Sequence, residues 1–155
     1  MKNVFFYDTN IGNIAIADNN SAITNICFAQ EMDASGFRLW ETELINKASK
    51  EIIEYLSGER KEFDFPILME GTDFQKSVWE ELRRIPYGST SNYKEIAKKI
   101  NKPNSFRAVG RAVSMNPLLF IIPCHRVILS DGSIGKYIGG TDIKKELLYM
   151  EGMVF

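Results

Sequence analysis

Side chains that cross-link a chain or bind metal are scarce in this sequence. Its 155 residues include two cysteines, Cys27 and Cys124, and a single histidine, His125. These three cannot supply a zinc site of the usual four-ligand Cys/His kind, so no metal and no metal-based cofactor is expected. No stretch approaches the roughly 20 consecutive apolar residues of a membrane span, so no membrane partner is expected. The opening run Val4-Phe5-Phe6-Tyr7 is too short for the apolar core of a signal peptide, and a cytoplasmic location is the expectation. In that compartment a Cys27–Cys124 disulfide is disfavoured. Internal repeats and low-complexity tracts are absent. What remains, 45% hydrophobic and 25% charged residues, is the composition of a folded globular chain. A monomer of one ordinary domain or two small ones is the simplest expectation at this length.

A large net charge is also missing: the total is −1. That would argue against a nucleic-acid partner if the charge were evenly spread. It is not. Residues 1–73 carry 6 basic and 13 acidic side chains, residues 74–116 carry 9 basic and 3 acidic, and residues 117–155 carry 4 of each. Concentrating Lys and Arg in one segment makes a local positive face whatever the total. A solvated helix surface is the plainer explanation of such a run.

Hydropathy patterning suggests an α+β fold. Short strands over residues 4–7, 12–17 and 22–29 alternate with the turn-formers Asp8-Thr9-Asn10 and Asp18-Asn19-Asn20, which predicts a small antiparallel sheet. A helix follows over residues 41–56, where Leu44, Ile45, Ala48, Ile52 and Tyr55 share one stripe, ended by Ser57-Gly58. This sheet-plus-helix domain is placed at residues 1–68. A mainly helical domain, residues 69–155, is expected to pack on it. There Thr72 or Asp73 caps a helix over residues 74–84, and Ser91 or Asn92 caps a short one over 93–100. A third runs over 105–115, stopped by Asn116-Pro117. The short pair joined by a turn forms a helix-turn-helix. Residues 118–122 read as a buried strand, residues 127–129 as extended, and 142–151 as a last helix.

The helix over 105–115 alternates basic with very small residues: Arg107, Ala108, Gly110, Arg111, Ala112, Ser114. A glycine inside a helix costs about 1 kcal/mol relative to alanine, so something must benefit from its lack of a side chain. DNA approaching the backbone is one such partner, and a second packed helix is the other. Downstream, Cys124 precedes His125. A cysteine reacts as its thiolate, and a neighbouring base eases the ionisation. The pair alone is weak evidence, because adjacent side chains often point apart.

Ile122-Pro123-Cys124-His125-Arg126-Val127 resembles the active-site signature of the O6-alkylguanine-DNA alkyltransferases, the methylated-DNA–protein-cysteine methyltransferases. Tyr87-Gly88 through Tyr93, Arg107-Ala108-Val109-Gly110, Asn116-Pro117, Ser130-Asp131-Gly132, Tyr137 with Gly139-Gly140, and residues 144–151 follow the same family's pattern. The match spans residues 72–152, and the N-terminal segment fits the family's variable domain in outline.

The resemblance implies alkyl transfer from O6 of guanine in double-stranded DNA, with O4 of thymine as a second target, irreversibly to Cys124 in a single turnover. It implies that His125 takes the thiol proton through a water and that Glu151 orients and charges His125, in the manner of a hydrolase triad. Asn116 ties the helix-turn-helix to the site. Arg107 fills the gap left by the flipped nucleotide, and Ala108, Gly110, Arg111, Ala112 and Ser114 meet the DNA groove. Tyr93 protonates the leaving base, while Val127, Tyr137, Ile138, Gly139 and Lys144 contribute to substrate binding. Ile138 and Lys136 depart from the residues frequent in the family at their positions, and Gly139 leaves room for groups larger than methyl. An alkylated-DNA-binding module without transfer is the alternative, which the presence of Cys124 opposes. A Cys-His hydrolase is a third possibility, and it predicts repeated turnover.

Overall fold

Alternating Ile and Ala residues and tight polar turns produce the first structural unit. In the computed structural model, which describes residues 1–155, β1 (Asn3–Thr9) and β2 (Gly12–Asp18) form an antiparallel hairpin. β2 also pairs antiparallel with β3 (Ile23–Phe28), and the sheet order is β3-β2-β1-β4. The edge strand β4 (Arg38–Leu39) pairs in parallel with β1, so the sheet is antiparallel except at that edge. Helix α1 (Glu43–Leu56) is capped by Thr42, whose hydroxyl accepts from the Ile45 amide at 3.0 Å and donates to the buried Asp18 carboxylate at 2.6 Å. Its inward stripe, Ile45, Ala48, Ile52 and Tyr55, is fully buried, as a 3.6-residue period requires.

The chain divides into two compact units, residues 1–70 with 117–119, and residues 71–116 with 120–155. Residues 117–119 belong to the first because Leu118 bridges Ile26 of β3, with Ile26 N–H donating to Pro117 O at 2.9 Å and Leu119 N–H to Ile26 O at 3.0 Å. Here the structure departs from the apolar run's strand-like pattern: residues 118–122 make isolated bridges, at Leu118, Leu119 and Ile122, and no strand. Phe120 breaks the run, adopting a left-handed backbone at φ 73°, which no strand residue does.

The second unit holds α2 (Asp73–Arg83), β5 (Ser91–Asn92), α3 (Tyr93–Lys99), α4 (Phe106–Ser114), β6 (Val127–Ile128) and α5 (Thr141–Met150). α2 opens with a capping box: Thr72 Oγ1 accepts from Gln75 N–H, and the Gln75 side chain returns to the Thr72 amide. Its Trp79 is buried, and the indole N–H donates to Ala112 O in α4 at 2.9 Å. Gly71 is required beside that ring, since a Cβ there would lie 2.6 Å from two Trp79 carbons. α3 is capped by Asn92, whose side chain accepts from the Glu95 amide. The turn to α4 passes through Asn101 in the left-handed region at φ 61°.

Candidate active site

Asn92 both caps α3 and pairs with Ile128, while Ser91 pairs with Val127, so a two-strand parallel sheet sets the start of α3 beside the chain that follows the cysteine. Cys124-His125-Arg126 forms a single 3-10 turn, with Arg126 N–H donating to Pro123 O at 2.9 Å. Asn116, just past α4, donates from Nδ2 to Ile122 O at 2.7 Å and so ties the helix-turn-helix to the chain entering that turn.

On one side of the turn lies a cavity of about 500 Å³, within the roughly 300–1,000 Å³ of small-molecule sites. Cys124 and Asn116 line it with Tyr93, Tyr137 and Ile138; Arg107, Gly110 and Ser114 of α4 form another wall. Cys124 is only 6% exposed and is one of the residues lining this cavity. Burial pushes its thiol up to about 11, against the lowering effects of a hydrogen bond from Asn116 and the charge of Lys144. Burial also raises the Tyr93 phenol, with a further push from a charge on Cys124, so this hydroxyl keeps its proton at neutral pH.

The other side of the turn is buried and ionic. His125 is fully buried, and its Nε2 lies 2.8 Å from Glu151 Oε2 at the end of α5. The Arg126 guanidinium grips the same carboxylate, Nε to Oε1 at 2.9 Å and Nη2 to Oε2 at 3.0 Å, while Nη1 donates to Ile85 O at 2.8 Å. The Gly88 amide donates to Glu151 Oε1 at 3.0 Å from a left-handed backbone at φ 79° that favours glycine. Glu151 was expected both to orient and to charge His125. It is placed to orient the ring, but burial, first of all, lowers the imidazole below the ordinary histidine value. The Glu151 hydrogen bond and charge raise it and the Arg126 and Lys144 charges lower it.

Several residues expected to face the substrate do not line this cavity. Lys144 is fully buried and does not line the cavity; its ammonium donates to Val127 O at 2.6 Å and Lys136 O at 2.9 Å, and burial lowers it to about 8. Val127 is likewise buried off the cavity, and Gly139 is not among its walls. Ala112 was expected on the DNA face. It is instead 3% exposed, because it falls three residues after Val109 on the inward stripe of α4. Arg107, Ala108, Arg111 and Ser114 stay on the exposed face. Three cavity residues, Phe106, Val113 and Lys136, had no role assigned from sequence, nor did Arg126 and Gly88.

Fold and site together define a class of protein: an α+β chain whose helix-turn-helix and cysteine-bearing turn open onto one cavity. Residues 73–153 match the family described as 6-O-methylguanine DNA methyltransferase, DNA binding domain, and residues 5–69 match the same family's ribonuclease-like domain. The methylated-DNA–protein-cysteine methyltransferase of Methanosarcina barkeri is 43% identical over 144 residues, 91% of each chain. The inducible enzyme of that name from Bacillus subtilis is 38% identical, over 96% of this chain and 84% of that one. The crystal structure of Mycobacterium tuberculosis OGT in complex with DNA superposes with a TM-score of 0.90 at 37% identity, covering 96% of this chain and 92% of that one. The chain belongs to the 6-O-methylguanine DNA methyltransferase family.

Proposed function

We propose that this protein repairs DNA by moving the alkyl group of O6-alkylguanine onto its own Cys124, and that each molecule acts once. The observation that carries the proposal is the position of Cys124: it lines a cavity walled by residues of the helix-turn-helix, while the next residue, His125, is held by Glu151. Family membership and the DNA complex of the M. tuberculosis relative support DNA as the substrate.

The O6 atom lies inside the duplex, so the nucleotide must be extruded, at a cost of a few kcal/mol. Arg107 at the cavity wall occupies the gap, and the exposed face of α4 bears on the backbone in a salt-sensitive, nearly sequence-independent manner. The thiol is protonated at rest, and its proton passes to His125 through water as the sulfur attacks. The S–C bond forms, the C–O bond breaks, and the guanine leaves with the electron pair. Tyr93 supplies the proton that makes the departing base neutral, and both Tyr93 and His125 re-equilibrate with solvent. The product thioether resists hydrolysis, which makes the reaction stoichiometric.

Intact-protein mass spectrometry after exposure to DNA containing O6-methylguanine tests this. A gain of about 14 Da, confined to the peptide with Cys124, is the expected result of replacing S–H by S–CH3. Binding without any mass gain favours the non-transferring module. Repeated turnover on esters or peptides favours the hydrolase.

A further inference from the structure

Glu151 carries more partners than orienting one imidazole requires. His125, the two nitrogens of the Arg126 fork and the Gly88 amide all converge on its two oxygens. Arg126 is itself fixed by Ile85 O and by the Tyr87 ring, 5.6 Å away. Buried ion pairs of this kind contribute little net stability compared with apolar packing, so stability alone does not account for the arginine. Around His125 stand Cys124 and Arg126 from its own turn, and Glu151 and Lys144 from α5 and its end. A lone carboxylate at 2.8 Å would favour the imidazolium, whereas one already bound by a guanidinium fork acts on the ring as a hydrogen-bond acceptor with little net charge.

We propose that Arg126 is a positioning residue whose charge cancels that of Glu151 at His125, so that the imidazole enters the reaction neutral. In that state Nε2 carries the hydrogen that Glu151 accepts, and Nδ1 is the basic nitrogen. An imidazolium could not take the thiol proton, so without the arginine the base would be lost over part of the neutral range. This inference rests on the alkyl-transfer function above, but its first test does not.

The chain has one histidine, so the ring Cε1–H signal in a ¹H–¹³C NMR titration belongs to His125 without assignment. In the unsubstituted protein that signal should stay in its neutral position down to below the ordinary histidine value of about 6.5. In Arg126→Met, which keeps much of the volume and loses the charge, the midpoint should rise by roughly one pH unit or more, and the acidic limb of the transfer rate should rise with it. In Arg126→Lys, which keeps the charge and loses the fork, the midpoint should stay near the original while transfer slows at every pH. An unmoved midpoint in folded Arg126→Met overturns the proposal. Should that variant fail to fold, a midpoint in Arg126→Lys raised by a unit or more overturns it instead. If the unsubstituted protein never acquires a methyl on Cys124, the transfer function fails while the titration still decides the role of Arg126.

Discussion

The two cysteines make a controlled comparison inside one chain. Cys27, on β3 of the first unit, and Cys124, on the turn of the second, are both pushed up to about 11, in each case chiefly by burial. In both, burial disfavours the thiolate, yet the groups around the two sulfurs differ. Cys27 packs against the Met32 sulfur at 3.8 Å, and the nearby Glu31 charge raises it further. Cys124 is opposed in its burial by Asn116 and Lys144, opens onto a cavity and precedes a base. Acidity at rest therefore does not distinguish the nucleophile. What distinguishes it is the set of groups that can stabilise the anion when a substrate arrives and excludes water.

The comparison breaks most completely by deletion. Cys124→Ala should abolish methyl incorporation while leaving DNA binding in a gel-shift assay, and Cys27→Ala should leave incorporation intact. Label appearing on Cys27 would mean that the surroundings do not decide. Next in size, Glu151→Gln should slow single-turnover transfer by about 100-fold, the scale of losing an oriented proton acceptor, without unfolding the chain. An unchanged rate would remove the carboxylate from the mechanism. Arg107→Ala should slow repair of duplex DNA by about tenfold or more and leave transfer from the free modified base nearly unchanged, because only the duplex incurs the extrusion energy. Equal losses on both substrates would refute its role in the duplex.

The smallest effect concerns alkaline stability. Each cysteine keeps its proton in the folded state up to about 11, whereas an exposed thiol in the unfolded chain ionises near 9. The stability that the two buried thiols contribute should therefore be complete below pH 9 and be lost as pH rises from there toward 11. Replacing either cysteine by alanine should flatten that decline in thermal melts. A decline unchanged in both variants would show that the thiols do not cause it.

Much of this was legible in the residues themselves, because local rules govern them. The stripe of α1, a cap at Thr72 or Asp73, another at Ser91 or Asn92, and the turn after the first strand follow from spacing and side-chain chemistry alone, and the structure selects Thr72 and Asn92. The elements that escaped detection are set by distant partners. β5, two residues long, exists only because it pairs with β6, which lies in the stretch read as extended. Phe120 sits in an apolar run that looks like a strand, and nothing in its identity announces a left-handed backbone. In the site, Cys124, His125 and Glu151 were evident from the family signature. The grip of Arg126 and Gly88 on Glu151 was not, since it joins residues 25 and 63 positions apart. Ala112 was misplaced because smallness describes a residue and not the side of a helix on which it falls.

The bridge between Leu118 and Ile26 has one consequence for dissecting the protein. A fragment beginning at Gly71 would retain every residue that lines the cavity, together with His125, Arg126 and Glu151. It would nevertheless strip Pro117 O and Leu119 N–H of their β3 partners and bring the buried Leu118 into water, a few residues before the sulfur. Residues 117–119 thus belong with β3, and a cut at the apparent domain boundary would leave them unpaired.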